Sequence, residues 1–287
     1  MRGTMRNRIR SLGVLTGAVV CFGIFGIGRP SAARAQNGVA DTMPAEDDTM
    51  PPDTMPMDSM VVDSPPPPIP TYDQPPAQAP GYMWTPGYWA WGEAGYFWVP
   101  GAWVLPPTPG LLWTPGYWCA SGLGFIWSPG YWGVRVGFYG GINYGFGYFG
   151  RGYAGGRWYH GRFFYNTAVT RVNTRVVTSI YVNRSVMVNN THVSYNGGRG
   201  GILARPTVAE QAIRPSRSMT SVQVQHQRFA AQDRNQLATV SHNRPAQLAT
   251  DRPFNARTHP VGPGQRIRAG DRGMTRARGV RMGGRSR

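Results

Sequence analysis

The sequence predicts a mostly β and irregular protein: an aromatic-rich β-meander of four short Trp-Pro-Gly-Trp repeats, short helices downstream and disordered ends. Three observations predict it. Residues 81–132 align on themselves four times. Gly (39) and Pro (26) make up almost a quarter of the 287 residues, whereas Leu, Ile, Val and Phe together number 54. That is too little aliphatic material for one large core, and with a net charge of +17 it is a signature of partial disorder.

The repeat is the strongest signal and is read before any fold. Its copies run from Gly81 to Trp89, Gly95 to Trp103, Gly110 to Trp118 and Gly124 to Trp132. The first Trp recurs at spacings of 14, 15 and 14, and eight of the nine Trp in the block are in register: Trp84, Trp89, Trp98, Trp103, Trp113, Trp118, Trp127 and Trp132. Pro-Gly favours a type II turn, since Pro fixes φ and Gly accepts φ > 0. A turn at Pro86-Gly87 sets Thr85 against Tyr88 and Trp84 against Trp89, where facing aromatics contribute up to about 1 kcal/mol. Gly92-Glu93-Ala94-Gly95 is then the reverse turn between copies. Type II turns splay tight hairpins, so wider bends at Pro-Gly are the alternative. The eight indoles act either as core or as an exposed binding platform.

The tandem Trp-x-x-Gly-x-Trp, as in Trp84–Trp89 and Trp113–Trp118, resembles the YXWGXW (WXXGXW) repeat proteins of bacteria. The likeness continues through Tyr153-Ala154-Gly155-Gly156-Arg157-Trp158, Phe164-Tyr165-Asn166, the stretch from Val193 to Gly201, Ala204-Arg205-Pro206-Thr207, Val224-Gln225-His226 and Arg244-Pro245. It spans roughly residues 81–255. The resemblance implies an exported protein without an assigned activity and brings no catalytic residues.

Residues 1–35 read as a secretory signal peptide. Arg2, Arg6, Arg8 and Arg10 precede an apolar run from Leu12 to Ile27, and Ala33-Arg34-Ala35 is an A-x-A site with cleavage between Ala35 and Gln36. The run falls short of the roughly 20 residues that span a bilayer, so no transmembrane span is expected after cleavage. Periplasm, outer envelope and extracellular space all remain open. Cleavage removes Cys21 and leaves Cys119 as a lone thiol beside the repeats.

The rest of the chain is charge-segregated. Residues 36–134 hold nine acids and no Arg; residues 135–287 hold 24 Arg and four acids. Segment 36–80 is acidic, Met- and Pro-rich and reads as an extended, unfolded spacer. Its Met43, Met50, Met55, Met57 and Met60 are of the soft type that takes Cu(I), but a repetitive linker explains them as well, and no metal site is assigned. Residues 133–163 are Gly- and aromatic-rich; the G-x-G-x-x-G at 145–150 lacks the following helix and acid of a dinucleotide site. In 164–255, Val169, Val172, Val176 and Ile180 recur at helical spacing, which predicts a helix near 167–182, then strands at 185–188 and 192–195. Thr207-x-x-Glu210 predicts a capped short helix, and residues 220–232 a second, polar one. The tail 256–287 reads as disordered.

Chemistry is tested by subtraction. Between Asp73 and Glu210 the one carboxylate is Glu93, so the aromatic region lacks the acid pair of a glycosidase. His160, His192, His226, His242 and His259 are scattered and read as surface residues. The chain has no Lys, which removes Schiff-base and P-loop chemistry. The expectation is no enzyme and no cofactor. What remains is an exported envelope structural or interaction protein, its repeats a scaffold or a platform for glycan. The alternative is a non-specific binder of nucleic acid or lipopolysaccharide through Arg266, Arg268, Arg272, Arg276, Arg278, Arg281, Arg285 and Arg287.

Overall fold

The computed structural model describes residues 61–186, 191–255 and 257. Strands dominate and the helices are short and late in the chain, the class the repeats predict. Strand β1 (Val61–Val62) is followed by the repeat strands β2 (Met83–Thr85), β3 (Tyr88–Gly92), β4 (Gly95–Val99) and β5 (Gly101–Val104). The next four are β6 (Leu112–Thr114), β7 (Tyr117–Ser121), β8 (Gly124–Ser128) and β9 (Tyr131–Gly133).

The repeats do not form a simple meander. β3 pairs antiparallel with β4, Trp89 opposite Trp98 and Gly92 opposite Gly95, so the turn at Glu93-Ala94 is a hairpin as expected. β2, however, pairs with β5, setting Trp84 opposite Trp103. Copies one and two thus make one long hairpin with a kink in each arm, at Pro86-Gly87 and at Pro100-Gly101. Trp84 does not face Trp89, and Thr85 faces Ala102 instead of Tyr88. Copies three and four repeat this: Trp118 faces Trp127 inside, Trp113 faces Trp132 outside. Equivalent residues of the two hairpins lie 29 apart throughout. The Pro-Gly pair bends the strand without reversing it, because a type II reversal would splay strands that here continue along one ribbon.

Residues 61–80 are not a free spacer. β1 lies antiparallel on β8, and Ile69 N–H donates to the His192 carbonyl (2.9 Å). Ala77 bridges to Val172. The physical reason is mutual need. A proline-rich extended chain has few N–H groups and leaves its carbonyls unpaired, while a buried indole needs an acceptor. Trp89 donates to the Pro68 carbonyl (3.1 Å), Trp103 to that of Pro75 (2.8 Å), and the Tyr96 hydroxyl to that of Ser64 (2.8 Å). The expected spacer residues 36–60 lie outside the described residues.

Downstream, β10 (Asn143–Gly145) and β11 (Tyr148–Phe149) form a small hairpin containing the G-x-G-x-x-G glycines. β12 (Gly156–Tyr159), β13 (Arg162–Asn166) and β14 (Ile180–Tyr181) form a three-stranded sheet, with β14 parallel to β13. The helix expected near 167–182 does not form. Asn166 and Asn173 each start a single turn instead: their carbonyls accept from Thr170 and Val177 N–H, and their side chains from Ala168 and Arg175 N–H. Asn offers the backbone this local alternative, and β-branched neighbours do not propagate a helix. The strand expected at 192–195 appears as β15 (Tyr195–Asn196), parallel on β7; the one expected at 185–188 runs into residues 187 and 188, which lie outside the described residues.

The first two helices start at capping residues. α1 (Val208–Gln211) has the Thr207/Glu210 capping box, and α2 (Ser221–Gln232) a second one from Thr220 and Gln223. A 3-10 turn (Arg234–Gln236), α3 (Ala238–Ser241) and β16 (Ala249–Thr250), parallel to β5, complete the order. Cys119 is buried in β7 and is disulfide-bonded in the full chain; the lone thiol is expected only after cleavage, which removes the chain's other cysteine, Cys21, a residue outside those described.

Candidate functional site

All eight repeat indoles are buried, the most exposed being Trp127 at 6%. They meet in four cross-strand pairs with ring centroids 5.2–5.3 Å apart and planes inclined by 56–70°, the edge-to-face and tilted arrangements that aromatic rings prefer. Their faces are therefore turned on one another and on the protein, and do not form an open platform.

The geometry explains the motif's glycine. A Cβ on Gly87 would collide with the Trp98 indole, and one on Gly101 with that of Trp84; Gly116 and Gly130 stand in the same relation to Trp127 and Trp113. At each kink the two arms approach so closely that the same Cβ would also lie 2.8–3.0 Å from the backbone nitrogen of the opposite glycine. None of the four has a positive φ. The constraint is space. Each Trp-x-x-Gly-x-Trp unit thus supplies a ring for its partner and a flat floor for its partner's ring.

The two hairpins are locked to each other by polar atoms. Trp118 Nε1 donates to the Trp89 carbonyl (2.8 Å), and the Tyr88 ring stacks on Trp127 at 5.2 Å. Tyr148, fully buried, donates its hydroxyl to the Trp113 carbonyl (3.0 Å) and lies 3.4 Å from that of Trp84, the equivalent residue of the first hairpin. Tyr144 donates to the Gly116 carbonyl (2.6 Å), and Gly87 N–H donates to the Tyr72 hydroxyl (3.1 Å). Burial pushes the phenols of Tyr144 and Tyr148 far above their ordinary value, with neighbouring tyrosines adding to the effect. Sequence reading missed these tyrosines. Their signal is the contrast between Tyr and Phe in the Gly-rich segment, where only Tyr has a hydroxyl to reach a kink carbonyl.

Histidine reading is corrected at one position. His226 is buried: Nε2 stands 2.8 Å from the Pro100 carbonyl, while Nδ1 accepts Phe254 N–H (2.8 Å). It ties α2 and the C-terminal segment to the kink of the first hairpin.

No group of three or more His, Cys, Asp or Glu fit to hold a metal, and no helix long and apolar enough to cross a membrane, occurs among the described residues. The cleavage residues Ala35 and Gln36, the Met cluster from Met43 to Met60, and the arginines from Arg266 to Arg287 lie outside them.

The WXXGXW repeat family matches the chain in two copies, over residues 80–104 and 122–133. No curated protein and no solved structure matches it. The stretch between the two copies, with β6 and β7, has the same pairing geometry, so the structural repeat extends through it.

Proposed function

We propose that this chain, which carries the WXXGXW repeat, is an exported structural protein of the cell envelope, without enzymatic activity, and that its repeat block is a scaffold. The observation that supports this reading is the burial of all eight repeat indoles. Rings that make the core cannot also be a binding surface, so the repeat serves to hold other segments in place. The proline strap, α2 and the Gly-aromatic segment all hang on indole or kink atoms. Export follows from the Arg-flanked apolar run and the Ala33-Arg34-Ala35 site.

Fractionation of the native cell with N-terminal sequencing tests the proposal. The mature chain begins at Gln36 and sits in the envelope fraction. Recovery of the intact Met1 form from the cytosol overturns it. Cleavage also removes Cys21, so the mature chain titrates one thiol after denaturation without reductant, whereas an unprocessed oxidised chain titrates none.

A second reading, polyanion binding through the tail from Arg266 to Arg287, draws on the charge segregation of the sequence. Deleting 266–287 then removes most binding to lipopolysaccharide, and affinity falls steeply with salt. Equal affinity of both forms rules it out.

A further inference from the structure

The sheet of β12, β13 and β14 has two unlike faces. Trp158, Phe163 and Tyr165 point into the protein: Phe163 and Tyr165 are buried, and Trp158 Nε1 donates to the Leu111 carbonyl (2.9 Å). The cross-strand register puts Arg157 opposite Phe164 and Tyr159 opposite Arg162, all on the outer face. Tyr181 of β14 joins them, with the Arg157 guanidinium 4.8 Å over its ring. Tyr159 is 61% exposed. The hairpin tip is His160-Gly161, both at positive φ (46° and 71°). A two-residue turn of this kind favours Asn-Gly. A histidine there is unfavourable for the backbone, and its ring is held 4.3 Å from that of Tyr159. Neither Arg157 nor Arg162 takes part in the ion pairs of the described residues, Arg151–Glu210 and Arg171–Asp73. Two cations and an open aromatic ring are thus displayed on a hairpin whose other face is rooted in the core.

We propose that the β12–β13 hairpin is a recognition finger for a phosphate-bearing glycan, with Tyr159 as the ring against the sugar and Arg157 and Arg162 as the phosphate forks. Guanidinium binds phosphate through paired donors, and its stacking on Tyr181 fixes one fork in advance. The ring geometry selects the glycan over a single nucleic-acid strand. Tyr159 stands at 78° to both His160 and Phe164, so the face offers one ring and not the row of flat faces on which successive bases stack. The choice of an envelope glycan rests on the export reading above; the site itself does not.

The test is calorimetry on the full-length processed protein with lipid-free, phosphorylated core oligosaccharide of lipopolysaccharide. The same oligosaccharide after dephosphorylation and a single-stranded oligothymidine are measured alongside. Y159A, R157Q and R162Q are compared with wild type, so that any contribution of the Arg-rich tail is common to all. Each variant loses about tenfold in affinity, the equivalent of one charge-assisted contact. R162K loses less. Thermal melting of the four variants is unchanged, because the side chains face solvent. Unchanged affinity in all variants, or equal affinity for the dephosphorylated sugar, overturns the proposal. Tighter binding of oligothymidine through the same residues also overturns it and makes the finger a nucleic-acid site. A cytosolic location with these binding results intact refutes the export reading and leaves the finger standing.

Discussion

The two hairpins share one ladder of indoles but live in different surroundings. In the first, the face away from the ladder is formed by Ala90, Phe97 and Val99, which are buried against Ala230 of α2, Leu237 and Phe254. In the second, the equivalent positions are Cys119, Ile126 and Ser128; Ile126 and Ser128 are half-buried, and β1 and β15 extend the sheet at its two edges. The ladder sides hardly differ: ring separations agree within 0.1 Å. The contrast separates the residues of the repeat from those of its setting. Trp and Gly close each hairpin on itself, while the residues between them carry whatever the covering segment requires.

Alkali gives the largest effect and asks whether the hairpins are one unit. Burial raises the phenols of Tyr88 and Tyr96 in the first hairpin, Tyr72 beside it, Tyr144 beside the second, and Tyr148 between them. Their folded values exceed the unfolded value, so the stability they contribute is complete below about pH 10 and is lost as pH rises above it. Phenolate absorbance and loss of near-ultraviolet circular dichroism rise together in one transition. Two separate transitions would break the hairpins into independent units.

Removing a ladder ring comes next. Trp84→Ala and its second-hairpin equivalent Trp113→Ala each cost about 3–5 kcal/mol in denaturant unfolding. A loss under about 1 kcal/mol at either site would show that the ladder is not what holds that hairpin.

Filling a kink is milder. Gly87→Ala and Gly116→Ala meet the Trp98 and Trp127 indoles and cost about 1–3 kcal/mol. Gly122→Ala, at the tip of the second hairpin with open space around it, changes stability by less than about 0.5 kcal/mol. Equal effects at the kink and the tip would remove the spatial explanation of the motif.

The smallest effect separates the hairpins most sharply. Thr220→Ala removes the N-cap of α2 and costs about 1 kcal/mol. Hydrogen exchange then speeds up in β4 and the segment before Phe254 and stays the same in β7 and β8. A uniform increase would mean that α2 supports both hairpins alike.

Much of the fold was legible in the chain. Period 14–15, Pro-Gly at fixed offsets, the Gly92–Gly95 turn and the Thr207–Glu210 capping box are local features, and local chemistry determines them whatever lies beyond. The spacing of Val169 to Ile180 misled because Asn166 and Asn173 repeat seven apart, and two isolated turns mimic a helical period. The finger was hidden for another reason: Arg157, Tyr159, Arg162 and Phe164 share a face only once the hairpin register is known.

By itself, then, the sequence determined a strand-rich block of four Trp-Pro-Gly-Trp units, since repetition and turn chemistry are local, and it left the indoles open as core or platform. Only the tertiary structure decided that Trp84 pairs with Trp103 and not Trp89, and that residues 61–80 are a strap. Both turn on contacts far apart in the chain. A kink becomes a bend when a partner ring occupies its floor, and a proline segment is ordered when buried indole N–H groups need its carbonyls. Neither partner can be read from the residues at the kink or in the strap alone.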